Sequence, residues 1–356
     1  MIKKIFAFLL ISTVVFTACK KDEDNNLSTQ ESKIVLTEAG NDINTDLTEI
    51  TNSDGAKSII DIFNIININD PFTGTQKSVK ITKRHFPYLS KLIYIPKIER
   101  KSGSFGDENF DFASNVGTYT WNAQYQNWDI QHGTPSDKII INFPTQESTT
   151  NNAVLTINSY TEQQFTDDSD TWYQPTHVNA NLYVNQIKYV DVDFDAAYNS
   201  DGDPTSITGT LFLKPFTLTV SVEKSNTKIT ERITLKKDND TIIDINLIVS
   251  FSDVTLEDVT EIEGYIQIGH IKLKGEVNVV ALDSLQAAPT VEQLNENINL
   301  SLYTDTDKKI GDLEFITALN GEIDLQIVFN DGTTELASHY FQALIESFKA
   351  FFGNNV

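Results

Sequence analysis

Asp191, Asp193 and Asp195 alternate with Val190, Val192 and Phe194, so on an extended chain the three carboxylates share one face at roughly 7 Å intervals. Hard oxygen ligands suit calcium, and Asp201 and Asp203 follow in the next turn. A calcium loop, however, needs Gly after the third acid and Glu six residues further on. Ala196 and Gly202 stand at those positions. The row therefore reads as a solvated strand face, with an adventitious calcium site as the alternative, and no resident metal is expected. The five histidines, His85, His132, His177, His270 and His339, contain no i, i+4 or H-x-H pair, and there are no cysteine partners, which argues against zinc. G-x-S-x-G, G-x-x-x-x-G-K-[ST] and G-x-G-x-x-G are all absent. A nucleophile and its base can still come together from distant residues. No reaction is written in the local sequence, so the expectation is a non-enzymatic protein without a cofactor.

The densest aromatic stretch is GTYTWNAQYQNWD, Gly117 to Asp129, which holds Tyr119, Trp121, Tyr125 and Trp128. A hairpin with a two-residue turn at Ala123-Gln124 puts Tyr119, Trp121 and Trp128 on one face, with Tyr119 opposite Trp128 and Tyr125 pointing away. A three-residue loop at 122–124 sets Tyr125 opposite Trp121 instead. Cross-strand aromatic pairs stabilise hairpins by about 0.2–1 kcal/mol, which gives the patch a structural role. The functional alternative is a stacking platform for sugar rings or a protein partner, since Trp and Tyr join apolar faces to polar edges. The amides of Asn122, Gln124, Gln126 and Asn127 lean toward a glycan.

These residues must be positioned by strands. From about residue 78 to 330 the hydrophobic period is two: Phe216, Leu218, Val220 and Val222 alternate with Thr217, Thr219 and Ser221. Strands are expected at 138–143, 153–160, 178–184, 188–194, 208–223, 228–236, 241–251, 262–280, 297–303 and 322–329. One wetted and one buried face on each means antiparallel pairing. No helical stretch is evident in the middle of the chain, so βαβ units are not expected. Before this region, Leu36, Ala39, Ile43, Leu47 and Ile50 fall at helical spacing. A second helix follows Ser53-Asp54-Gly55, with Ile59, Ile60, Phe63 and Ile66 on its face. After it, Leu336, Tyr340, Phe341, Leu344, Ile345, Phe348, Phe351 and Phe352 form a wide apolar stripe. That stripe either packs across the sheet, as layered folds require, or plugs an apolar cavity. The fold class is therefore mainly β: a large antiparallel twisted sheet, sandwich or open barrel, with an N-terminal helical hairpin and a C-terminal amphipathic helix packed on it.

The chain opens with Lys3-Lys4, a run of mostly apolar residues from Ile5 to Phe16, and Thr17-Ala18-Cys19, the pattern of a secretory signal. The run is too short to span a bilayer. Phe16-Thr17-Ala18-Cys19 resembles the lipobox of bacterial lipoproteins, with Phe16 where Leu is usual. The resemblance implies cleavage before Cys19 and acylation of its thiol and new amino group. Cys19 is the only cysteine, so the mature domain has no internal disulfide. Lys20-Lys21-Asp22-Glu23-Asp24 resembles the acidic export tag of Bacteroidota surface lipoproteins, which implies the extracellular face of the outer membrane; a plain solvated tether facing the periplasm is the alternative. Asp240-Thr241-Ile242 and Asp283-Ser284-Leu285 resemble the O-glycosylation signal of exported Bacteroidota proteins and point to Thr241 and Ser284.

Net charge is −23, and removal of residues 1–18 takes away two lysines and no acid, leaving −25. A field of that sign repels nucleic acid. The expected organisation is a signal peptide over 1–18, a lipidated tether with the tag over 19–33, a helical hairpin over 34–70, a β domain over 71–332 and a C-terminal helix over 333–356. The expected function is a lipid-anchored outer-membrane protein, held in the bilayer through acylated Cys19, whose β domain binds a glycan or an outer-membrane protein partner. The alternative is a carrier of lipid or another apolar ligand between curved sheet and helices.

Overall fold

The computed structural model describes residues 26–68, 71–72, 110–167, 170–200, 202–254, 256, 258–285, 289–318, 321 and 323–341. The signal segment 1–18, Cys19, Lys20 to Asp24, the side chains at 40–48 and residues 342–356 lie outside the described residues.

Among the described residues, sixteen strands form one open sheet. They are β1 (Gly117–Asn122), β2 (Asn127–His132), β3 (Ile139–Phe143), β4 (Ala153–Asp167), β5 (Asp170–Val184), β6 (Ile187–Tyr198), β7 (Pro204–Leu213) and β8 (Phe216–Ser225), followed by β9 (Lys228–Lys237), β10 (Asp240–Phe251), β11 (Val259–Ile268), β12 (Ile271–Asn278), β13 (Ile298–Thr304), β14 (Lys309–Thr317), β15 (Ile323–Phe329) and β16 (Thr334–Leu336). From β3 onward each strand pairs with its successor, and β2 lies outside β1 at the far edge. The sheet is mixed, because β1 pairs with β3 in parallel. The expected strand over 208–223 is two, turned at Lys214-Pro215, and the one over 262–280 is two, turned at Gly269-His270.

Period-two patterning is carried across the sheet by the register. One transverse row runs Val178, Phe194, Gly209, Val220, Ile233, Ile245, Ile266, Leu273, Leu302, Gly311 and Phe329, each opposite the next. A sheet with such a face must bury it. Helices do so near both ends. Helix α1 (Thr29–Thr51) begins at a capping box: Ser28 Oγ accepts from Glu31 N–H at 3.4 Å, and Glu31 Oε2 accepts from Ser28 N–H at 3.0 Å. That box starts the helix five residues before the expected position. Leu36 and Ala39 sit fully buried with Ile310, Leu313, Ile327 and Phe329. At the other end of α1, Glu49 pairs with Lys237 at the end of β9. Five strand spacings, about 24 Å, separate β14 from β9, and 23 residues of helix span about 34 Å. Helix α1 therefore crosses the strands as a strap.

Helix α2 (Asp54–Ile68) is seated on β6 and β7. Gly55 N–H donates to Lys214 O, and a Cβ on Gly55 would lie 2.7 Å from Leu213 Cα, so only glycine allows the approach. The buried face is Ile59, Ile62 and Ile65, packed with Leu182, Val190, Leu211 and Leu213. Ile60 and Phe63, expected on that face, are exposed. Two short helices that periodicity did not show, α3 (Val279–Asp283) and α4 (Val291–Asn297), insert Leu282 and Leu294 into the core beside β12–β15. At the C-terminal end, Thr334–Leu336 is a strand rather than the start of a helix. Among the described residues of this end, helix covers 338–341, where Tyr340 and Phe341 pack on the same core as Leu36.

Candidate functional site

The opposite face of the sheet is polar across the same span. One row runs His177, Asp195, Thr208, Ser221, Arg232, Asn246, Tyr265, Lys274, Ser301 and Asp312, from β5 to β14. A second runs beside it through Asn179, Asp193, Thr210, Thr219, Thr234, Asp244, Gln267, Lys272, Tyr303 and Lys309. Nine strand spacings make each row about 43 Å long. Among the described residues, the helices that contact the sheet bury their apolar side chains in its other face.

Several charges on this face are paired. Asp244 Oδ2 accepts from the Tyr265 hydroxyl at 2.9 Å and from Arg232 Nη2 at 3.3 Å, while its Oδ1 accepts from Thr234 Oγ1 at 3.0 Å. Desolvation first, and then Asp244, pushes the Tyr265 phenol upward. Asp307, in the turn before β14, takes ion pairs from Lys274 at 2.8 Å and Lys272 at 3.0 Å, and these hold its carboxyl below the usual range. Lys309 pairs with Asp312, which also accepts from Ser301 at 2.5 Å.

The expected aspartate row is present, and each member has a separate partner. Asp191 pairs with Lys188 at 2.8 Å, Asp193 accepts from Asn179 Nδ2 at 3.0 Å, and Asp195 meets His177 Nδ1 at 2.8 Å. No group of three metal-binding side chains occurs among the described residues. His177 continues the chain of contacts, because its Nε2 lies 2.8 Å from Ser159 Oγ. Alternation from Ile157, which faces the core, would aim Ser159 into the core as well. It does not, because Asn158 is the extra residue of a bulge: Ile157 pairs with Ala180 and Ser159 with Asn179. Across the ladder Thr176 is extra in turn, since Thr161 pairs with His177 and Glu162 with Pro175. The bulge at Asn158 brings Ser159 to the polar face, where His177 already points by plain alternation with Val178, Ala180 and Leu182, opposite Asp195. Asn158 lies on that face too, its Nδ2 donating to Asn179 Oδ1 at 2.8 Å. A strict period of two hides only the place of Ser159, because the bulge at Asn158 depends on cross-strand register.

The aromatic patch is arranged differently from either expected hairpin. A four-residue loop, 123–126, sets Trp121 opposite Trp128 and Tyr119 opposite Ile130. The indoles meet edge-on with centroids 5.2 Å apart. Tyr119 is fully buried, its ring edge-on to Phe72 and its hydroxyl donating to Asn115 O at 2.9 Å. Tyr119, Trp121 and Trp128 belong to the core under α2, and only Tyr125, at the loop, stands in solvent. Of the two sequence-flagged hydroxyls, Ser284 is exposed and closes α3 by donating to Ala281 O, and Thr241 sits at a bulge near the start of β10. A cleft of about 290 Å³ lies between α1 and the turn after β13, lined by Leu27, Val35, Glu38, His270, Asp305 and Lys308. No described helix is long and apolar enough to cross a membrane. No protein-family model, curated protein or solved structure matches the chain.

Proposed function

We propose that the protein is a surface lipoprotein, anchored in the outer membrane through acylated Cys19, whose polar sheet face binds an extended polyhydroxylated polymer, a glycan chain. The observation that carries this reading is the pair of parallel polar rows about 43 Å long. Such a footprint fits a linear polymer better than a small molecule held in a cavity. Its groups suit sugar hydroxyls: Thr and Ser hydroxyls, the amides of Asn179, Asn246 and Gln267, and the rings of Tyr265 and Tyr303. Acid and base are interleaved along it, which favours a neutral ligand over a polyanion. Acyl chains contribute about 0.8 kcal/mol per buried methylene, and two anchor stably. Described structure begins at Asn26, bridged to Lys309, and the stretch from Cys19 to that point reaches at most about 25 Å. Anchoring of this kind holds the face close to the cell envelope.

Affinity electrophoresis against a panel of neutral soluble polysaccharides tests the binding. Thr219, exposed in the middle of the second row, is replaced by Arg. Retardation by at least one polysaccharide, lost in Thr219→Arg with folding intact, is expected; equal retardation of both proteins refutes the assignment. For the anchor, Cys19→Ala is expected to release the protein from membranes, and alanines at Asp22, Glu23 and Asp24 to make it resistant to protease added to whole cells.

The apolar row supports a second reading. Leu218, Leu235, Ile245 and Ile266 are only half-buried, in a stretch between the end cores, which is where an acyl chain would lie in a lipid carrier. Lipid retained on the purified domain in native mass spectrometry favours that reading, and a lipid-free mass removes it.

A further inference from the structure

Ser159, His177 and Asp195 sit on three neighbouring strands with both intervening contacts at 2.8 Å. We propose that they form a serine nucleophile, general base and orienting carboxylate, which hydrolyse short acyl esters carried by a polymer lying on the polar face. The choice of substrate rests on the glycan-binding reading above; the nucleophile does not.

Chemistry sets the proton positions. A carboxylate only accepts, so the neutral imidazole donates from Nδ1 to Asp195 and leaves Nε2 to accept from Ser159 Oγ–H. That is the arrangement in which a serine hydroxyl can be deprotonated as it attacks. Each of the three residues needs a particular local structure to arrive there. Ser159 requires the bulge at Asn158, and His177 and Asp195 the unbroken direct pairing of β5 with β6. Bulges are recurrent devices for re-aiming a side chain beside an active site, and the one at Asn158 turns Ser159 toward His177. Asn158, drawn to the same face by its bulge, has a second Nδ2 hydrogen beyond the one donated to Asn179, which can meet the oxyanion.

In the reaction Ser159 Oγ bonds to the ester carbonyl carbon while its proton passes to His177 Nε2 and the carbonyl electron pair moves onto oxygen. Collapse of that intermediate breaks the bond to the sugar oxygen, which leaves with the proton from Nε2. Water then attacks the acyl-serine, giving its proton to Nε2. The acid departs and the proton returns to Ser159 Oγ. Ester and water yield alcohol and acid, with no other reactant. The site is open: the side chains of His177 and Asp195 are 34% and 60% exposed. It has the access a polymer-borne group needs, and little apolar wall to hold a long acyl chain, so acetyl-sized groups are the class assigned.

The test uses the full chain with two probes, a fluorophosphonate and p-nitrophenyl acetate. One fluorophosphonate per chain is expected, located at Ser159 by peptide mass spectrometry and absent from Ser159→Ala. His177→Asn should lower p-nitrophenyl acetate turnover by about 10²-fold or more, with the circular-dichroism melt unchanged. No label at Ser159, or equal labelling and turnover in His177→Asn, overturns the proposal. Label at Ser159 with Thr219→Arg still retarded by polysaccharide keeps the nucleophile and removes the glycan face. Retardation lost in Thr219→Arg without label at Ser159 does the opposite.

Discussion

Leu36→Ala tests whether the α1 strap is held by its buried side chain. Leu36 is fully buried between the helix and the strand residues Ile310, Leu313 and Ile327, and strands fixed in a ladder on both sides cannot collapse into the gap. Leu-to-Ala changes at such sites cost about 2–5 kcal/mol, rising with the volume left empty, so about 3 kcal/mol is expected here. Near 60 °C the unfolding entropy is about 2.1 cal/mol/K per residue, or about 0.6 kcal/mol/K for roughly 270 described residues. The loss therefore lowers Tm by about 5 °C. Ile34, two residues earlier and 51% exposed, is the control, since Ile34→Ala should cost about 0.5 kcal/mol or less and shift Tm by about 1 °C. Both melts are followed by circular dichroism at pH 7. Equal shifts for the two variants would refute the strap geometry, because the helix would then be presenting another face to the sheet.

Gly55→Ala should destabilise by about 1–3 kcal/mol, read from the urea midpoint, because the new Cβ meets the backbone of Leu213 and Lys214. A gain, as helix propensity alone predicts, would show that α2 is not seated there. Trp121→Ala should cost about 3–5 kcal/mol in the same assay, while Tyr125→Ala at the exposed loop stays within about 0.5 kcal/mol; a reversed order would restore the patch as a surface platform. Asp307→Asn keeps the left-handed backbone, which Asn tolerates. Asp307 has a folded pKa depressed below its usual 3.8, so its contribution is full above that value and disappears as pH falls through the folded one. For so exposed a pair it amounts to about 1 kcal/mol or less. Wild type and variant should therefore differ slightly at pH 7 and coincide near pH 2, and a difference that persists at pH 2 contradicts the ion-pair account.

The β class and most strand positions could be read from alternation, because one buried face imposes period two on any long antiparallel meander. Phe216 to Val222 and Ile271 to Val279 show it plainly. The pattern does not mark hairpin turns that preserve it: Phe212-Leu213 and Phe216 continue the apolar theme on both sides of Lys214-Pro215, so two strands looked like one. Helix α1 was visible from Leu36 and Ala39, but its start was set by Ser28 and Glu31, a capping signal within a stretch that otherwise looked like linker. In α2 two apolar faces competed, and Ile62 rather than Phe63 was buried because Gly55 fixes how the helix sits on β7. The candidate site was half legible. Asp195 stood in an evident polar row and His177 faces it by plain alternation, whereas Ser159 joined them through a bulge that depends on cross-strand register, which a single strand's sequence does not display.

The strap also determines the order in which the fold can be completed. From β3 onward each strand pairs with its successor, so hairpins can form as the chain is released from its N-terminal end. Helix α1 comes before all of them, yet its partners are distant: Ser32 Oγ donates to Ile310 O and Lys33 Nζ reaches Glu335 at 2.5 Å. Closing loops of about 300 residues is entropically costly, and the partners do not exist until β14 and β16 have been made. The earliest of the described helices thus docks only after β14 and β16 are in place. Until then the growing meander carries an uncovered apolar face, the interval in which a folding chain is most exposed to aggregation.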